Sequence, residues 1–154
     1  MYKIQNDQSY FDVHMSLKVE DVMVKTVITL EANATVREAV AIMNERDISC
    51  VVIVHDGSPI GIITESDMLK RVLLEAKDPA KTKASQIMTA PIIHGEPQMS
   101  VQDAVKLMVQ KKIKKLPILE QERLVGLITL TDLVRSIAYL EHIFSKSQSN
   151  VVVQ

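Results

Sequence analysis

The sequence predicts a mixed α/β (α+β) fold in which one strand–helix–strand–strand–helix unit is used twice. Three observations carry that prediction. Gly61-Ile62-Ile63-Thr64-Glu65-Ser66-Asp67 recurs 65 residues later as Gly126-Leu127-Ile128-Thr129-Leu130-Thr131-Asp132. The same offset, carried upstream without a gap, places Met23 on Met88, Ile28 on Ile93, Val36 on Val101, Ala39 and Val40 on Ala104 and Val105, Met43 on Met108, and Ile48 on Ile113. Finally, 47% of the residues are hydrophobic but only 3% aromatic, so Val, Ile, Leu, Met and Ala must build the core, and disorder is excluded. At 154 residues the two half-size units are expected to share one domain as a pseudo-twofold pair.

Each unit opens with a β-branched stretch, Val27-Ile28-Thr29-Leu30 in the first and Pro91-Ile92-Ile93 in the second, which predicts a strand. A helix start follows. Thr35-Val36-Arg37-Glu38 and Ser100-Val101-Gln102-Asp103 each put a hydroxyl at the cap and an acid three residues on. Behind the caps, Val36, Ala39, Val40 and Met43, like Val101, Ala104, Val105 and Met108, fall at i, i+3, i+4 and i+7 and form one apolar stripe. Two strands joined by a hairpin come next, Cys50–Val54 and Ile60–Ile63, with the turn in Asp56-Gly57-Ser58-Pro59. Their counterparts are Leu116–Leu119 and Leu124–Ile128, around Glu120-Gln121-Glu122. A second helix then starts at Ser66 or Thr131 and runs to about Lys77 or Leu140. The expected boundaries are an N-terminal arm over 1–17, a first repeat over 18–80, a second over 81–143 and a tail over 144–154, with a polar linker from Lys77 to Lys83.

Composition removes several function classes. A net charge of −1 gives no overall pull toward nucleic acid or anionic lipid, and the single cysteine, Cys50, excludes a disulfide framework or a multi-cysteine metal site. Met1 to Met15 is polar and resembles neither a secretory signal nor a membrane span, so a cytoplasmic protein is expected. His14, His55, His94 and His142 lack metal-ligand spacing. The glycines of Gly57 to Gly61 are not followed by the Gly-Lys-Ser/Thr of a phosphate loop. Lys111, Lys112, Lys114 and Lys115 form the one dense basic run. It comes without a nucleic-acid motif or an aromatic stacking platform, and its first two lysines sit where cations offset a helix C-terminus.

What remains is the repeated strand end followed by Thr-x-Ser/Thr-Asp at a helix start. Hydroxyls and free backbone N–H groups there favour an anion, and a carboxylate can accept hydrogen bonds from two vicinal ribose hydroxyls. One such turn alone is more often a simple helix cap. Two copies of the whole pattern shift the weight toward a nucleotide.

With Gly-h-h-Thr-x-x-Asp occurring twice, after hairpins and before helices, the chain from about Lys18 to Glu141 resembles the cystathionine β-synthase (CBS) domain family. The resemblance implies a Bateman module, a tandem CBS pair that senses AMP, ADP, ATP or S-adenosylmethionine in two clefts between the repeats and catalyses nothing itself. By position, one cleft would use Thr129, Thr131 and Asp132 for phosphate and ribose, with Thr26, Val27, Ser49 and Cys50 flanking the base. The other would use Thr64, Ser66 and Asp67 with Pro91 and Ile92. Lys114-Lys115 stand where many members carry a basic pair for phosphates and could serve either cleft. The first repeat has Ser49-Cys50 there, so the Asp132 cleft is expected to be the better site. The resemblance also implies a homodimer and an unidentified effector protein as partner. The competing readings are an interaction module with empty clefts or a small nucleic-acid adaptor.

Overall fold

In the computed structural model, which describes residues 17–149, both central helices begin at the caps that the sequence predicts. In chain order the elements are α1 (Val19–Val22), β1 (Thr29–Glu31), α2 (Val36–Arg46), β2 (Cys50–His55), β3 (Ser58–Thr64), α3 (Glu65–Asp67) running into a π-helical segment (Met68–Leu73), a 3-10 turn (Ala84–Gln86), α4 (Val101–Lys111), β4 (Lys115–Glu120), β5 (Arg123–Thr129) and α5 (Leu130–Ser149). At the start of α2 the Glu38 amide donates to Thr35 Oγ1 while the Thr35 amide donates to Glu38 Oε2. At the start of α4 the Asp103 amide donates to Ser100 Oγ. Both helices end on a non-glycine residue in the left-handed region, Asp47 and Lys112, which are again one repeat apart. The arm over 1–16 and residues 150–154 of the tail lie outside the described residues.

In the first repeat β1 pairs parallel with β2, Leu30 facing Ile53, and β2 pairs antiparallel with β3. The second repeat keeps the β4–β5 hairpin but, among the described residues, reduces its first strand to one parallel bridge, Gly95 to Ile118. The strand expected at Pro91-Ile92-Ile93 is therefore not formed, and two prolines explain why. In the first repeat the Val52 amide donates to Ile28 O at 3.2 Å and the Ala32 amide to Val54 O at 2.9 Å. One repeat later these donors are Pro117 and Pro97, which have no N–H to give. Only the bonds from Gly95 N to Pro117 O and from Leu119 N to Gly95 O survive in that ladder. The second helices also differ from expectation. The first passes into π geometry and stops at Leu73, short of Lys77, whereas α5 continues to Ser149, past Leu140.

The repeats exchange their opening segments. Neither α1 nor the 3-10 turn is foreshadowed by the strand-first pattern, yet they are equivalents: Lys18 N donates to Asp21 Oδ2 (2.8 Å) and Lys83 N to Gln86 Oε1 (2.7 Å). The Ala84 amide bonds Ala34 O at 2.7 Å and the Val19 amide bonds Met99 O at 2.9 Å, so each segment sits on the other repeat's helix entry. Farther along, Thr89 exchanges both backbone bonds with Ile62, and Val24 does the same with Leu127. The core around Val36, Ala39, Ile53 and Ile63 is accordingly closed by Ala84 and Ile87, and the core around Ala104, Met108, Leu116, Ile118 and Ile128 by Val19. Burying Ile87 or Val19 contributes about 1.5–3 kcal/mol, so each half draws part of its stability from the other half's sequence.

This exchange explains the glycine of the repeated motif. A Cβ on Gly61 would lie 2.7 Å from Met88 Sδ and 2.9 Å from the Thr89 carbonyl oxygen, and one on Gly126 would overlap Met23. The repeat-equivalent methionines are the flexible caps over two bare stretches of strand.

Candidate ligand cleft at the two Thr-x-x-Asp turns

In both turns the threonine amide and hydroxyl hold one and the same oxygen of the aspartate. Thr64 N and Oγ1 donate to Asp67 Oδ2 at 2.8 and 3.0 Å, and Thr129 N and Oγ1 donate to Asp132 Oδ2 at 3.0 and 2.7 Å. The second oxygen distinguishes them. Asp67 Oδ1 receives the Thr89 hydroxyl at 3.3 Å and lies 3.6 Å from Arg71 Nε, and the side chain is largely buried. Asp132 Oδ1 has no partner among the described residues, and its residue is half-buried.

The other expected site residues group as follows. Thr26 and Val27 lie two and three residues past the antiparallel Val24–Leu127 bridge, on the segment that the first repeat lays alongside β5. Pro91 and Ile92 likewise stand two and three residues past the antiparallel Ile62–Thr89 bridge, after a cis Ala90–Pro91 bond. Thr131 and Ser66 are exposed at the helix starts. Lys114 O accepts the Leu130 amide at 3.1 Å and Lys115 pairs with Thr129, which puts the basic pair against the Asp132 turn of its own repeat. Ser49 O accepts the Glu65 amide at 3.3 Å and Cys50 pairs with Thr64, so these two are bonded to the Asp67 turn. Across the pseudo-twofold, Lys115 and Cys50 lie close enough for electrostatic coupling. Burial pushes the Cys50 thiol up to about 11, with Lys115 opposing and Glu65 adding to the effect, so it stays protonated at neutral pH as a packing residue.

Two partners of Asp67 were not picked out from the sequence, Arg71 and Thr89. Arg71 lies four residues after Asp67, a helical neighbour that could have been suspected. Thr89 stands 22 residues away and joins the turn only through the exchange. Among the described residues no group of three or more His, Cys, Asp or Glu could hold a metal ion, and no helix is long and apolar enough to cross a membrane.

The fold and the doubled turn define a tandem α/β repeat module. The chain belongs to the CBS domain family, whose model matches it twice, over residues 19–74 and 84–139. It is similar to the CBS domain-containing protein YhcV of Bacillus subtilis, with 35% identity over 115 residues that cover 75% of this chain and 81% of that protein. An uncharacterized protein of Methanopyrus kandleri, MK0525, is 40% identical over 127 residues, 81% of this chain but 65% of that longer relative. Among solved structures, the CBS domain pair of protein MJ0100, in complex with 5′-methylthioadenosine and S-adenosyl-L-methionine, superposes with a TM-score of 0.71 at 28% identity, covering 79% of this chain and 96% of that one.

Proposed function

We propose that this CBS pair is a regulatory sensor that binds an adenine nucleotide or adenosyl compound, AMP, ADP, ATP or S-adenosylmethionine, in the cleft at Asp132. The observation that carries this is the half-engaged Asp132 carboxylate: Thr129 fixes one oxygen, while the other has lone pairs for a ribose diol. Lys114 and Lys115, bonded to the same turn, supply positive charge for phosphates, which the first repeat's Ser49-Cys50 lack. Thr26 and Val27 are the proposed wall for the base. The adenosyl ligands of the MJ0100 pair support the ligand class.

Binding, and no chemistry of its own, is the role assigned to the chain, so the signal passes to an effector protein through a change of shape or assembly. The exposed apolar residues Leu69 and Val134, equivalent positions on the second helices, favour a homodimer that covers them.

A thermal-shift panel tests the ligand. A compound that binds only the folded state adds RT ln(1 + [L]/Kd), about 2.7 kcal/mol at a hundredfold excess over Kd. At least one of the four should raise Tm by several degrees at millimolar concentration, and Asp132→Ala should remove the rise. Flat curves for all four would sink the sensor in favour of an interaction module. Sedimentation of the same preparation as a monomer would sink the dimer.

A further inference from the structure

The first turn carries a contact that the second lacks. Arg71 Nη1 donates to the carbonyl oxygens of Ile87 and Met88 at 2.8 and 2.7 Å while its Nε faces Asp67 Oδ1 at 3.6 Å, and Thr89 Oγ1 donates to the same Oδ1 at 3.3 Å. Neither contact with Oδ1 is short, but together they fill the side of the carboxylate that a ribose would need, in a largely buried place. One repeat along, Arg71 becomes Ser136, whose hydroxyl turns back to its own helix at Asp132 O (2.8 Å), and Thr89 becomes Val24, which makes the same backbone bridge without a hydroxyl.

We infer that Arg71 and Thr89 convert Asp67 from a ligand group into a tie that clamps the exchanged segment of the second repeat, so that the chain binds one nucleotide, at Asp132, and not two. The inference rests on the ligand reading above for its stoichiometry, but the tie itself does not need a ligand. A ribose entering the Asp67 cleft would have to displace the Thr89 hydroxyl and the guanidinium from a largely buried carboxylate, giving up contacts that Asp67 already has. At Asp132 nothing has to be displaced among the described residues. Ligand discrimination between the clefts is thus set by two side chains outside the Thr-x-x-Asp motif.

The repeats supply their own test. Calorimetric titration of the full chain with ATP should give one site per chain. Arg71→Ser with Thr89→Val, which copies the second repeat into the first, should raise the count to two. Val24→Thr with Ser136→Arg, the reciprocal graft, should weaken the remaining site about tenfold or more. Two sites in the unaltered chain, or one site and unchanged affinity in both grafts, would overturn the inference. A ligand-free measurement separates it from the sensor reading. Asp67→Ala should lower Tm by about 3 °C or more beyond Asp132→Ala, because both lose the bonds from threonine but only the first loses the tie. Absence of any nucleotide binding would defeat the sensor and leave this Tm difference to judge the tie, and equal Tm losses would defeat the tie.

Discussion

The two repeats share a turn down to the atom that anchors its aspartate, yet the first is tied inward and the second left open. The anchor, Thr to Asp Oδ2, is local and survives duplication because four consecutive residues suffice to make it. Everything beyond the anchor depends on what the other repeat brings: Met88 and Thr89 to the first, Met23 and Val24 to the second. In this chain the two copies differ where each faces the other repeat, so the test of a repeat's role is the residue across from it.

The glycines allow the largest break in the comparison. A methyl on Gly61 would meet the Thr89 backbone oxygen at 2.9 Å, which cannot yield without shifting the strand, whereas on Gly126 the nearest backbone oxygen, Val24 O, is 3.2 Å away and the main obstacle is the movable Met23 thioether. Gly61→Ala should thus cost about 2–3 kcal/mol and Gly126→Ala about 1 kcal/mol in urea unfolding. The reverse order would mean that the two exchanged segments do not seat as described.

A smaller effect lies in the hairpins. Both turn through two residues with positive φ, Asp56 (49°) and Gly57 (77°) in the first, Gln121 (48°) and Glu122 (64°) in the second. Glycine takes that conformation freely and glutamate does not. Glu122→Gly should stabilise the chain by about 0.5–1 kcal/mol, bringing the second hairpin level with the first. A loss on the same unfolding assay would show that the Glu122 side chain has a role the turn geometry does not reveal.

The smallest difference is in the helix caps at acid pH. The Thr35 amide and hydroxyl hold the Glu38 carboxyl below its ordinary 4.5, and the Ser100 hydroxyl holds that of Asp103 below 3.8. A folded value below the unfolded one means that stability is present above the ordinary value and is lost as pH falls through the folded value. Because both carboxylates are exposed, the loss is slight. Glu38→Gln should flatten the decline of Tm from its onset near pH 4.5, and Asp103→Asn should do so only at lower pH. Identical onset for both variants would contradict the separate causes assigned to the two groups.

Much of this was legible beforehand. The offset between Gly61 and Gly126 is enough to predict the repeat, because a strand, a cap and an apolar stripe are each written in fewer than a dozen consecutive residues. The caps at Thr35 and Ser100, the hairpins and the anchoring of Asp67 and Asp132 all follow from such local rules. Even the missing strand in the second repeat could have been foreseen from Pro97 and Pro117, had the partner of each backbone N–H been asked for. The site was less legible, since Thr89 reaches Asp67 from the other repeat and Ser49-Cys50 bond to the Asp67 turn.

The sequence by itself determined the unit, its duplication and the chemistry of its turn, because hydrogen-bonding caps and periodic burial act over short spans of chain. Tertiary structure alone decided that the repeats trade their opening segments, that Gly61 and Gly126 make room for that trade, and that Asp67 is tied while Asp132 is open. Those outcomes depend on which surfaces meet across the pseudo-twofold, and no local pattern encodes a contact between residues whose proximity exists only after both halves have folded together.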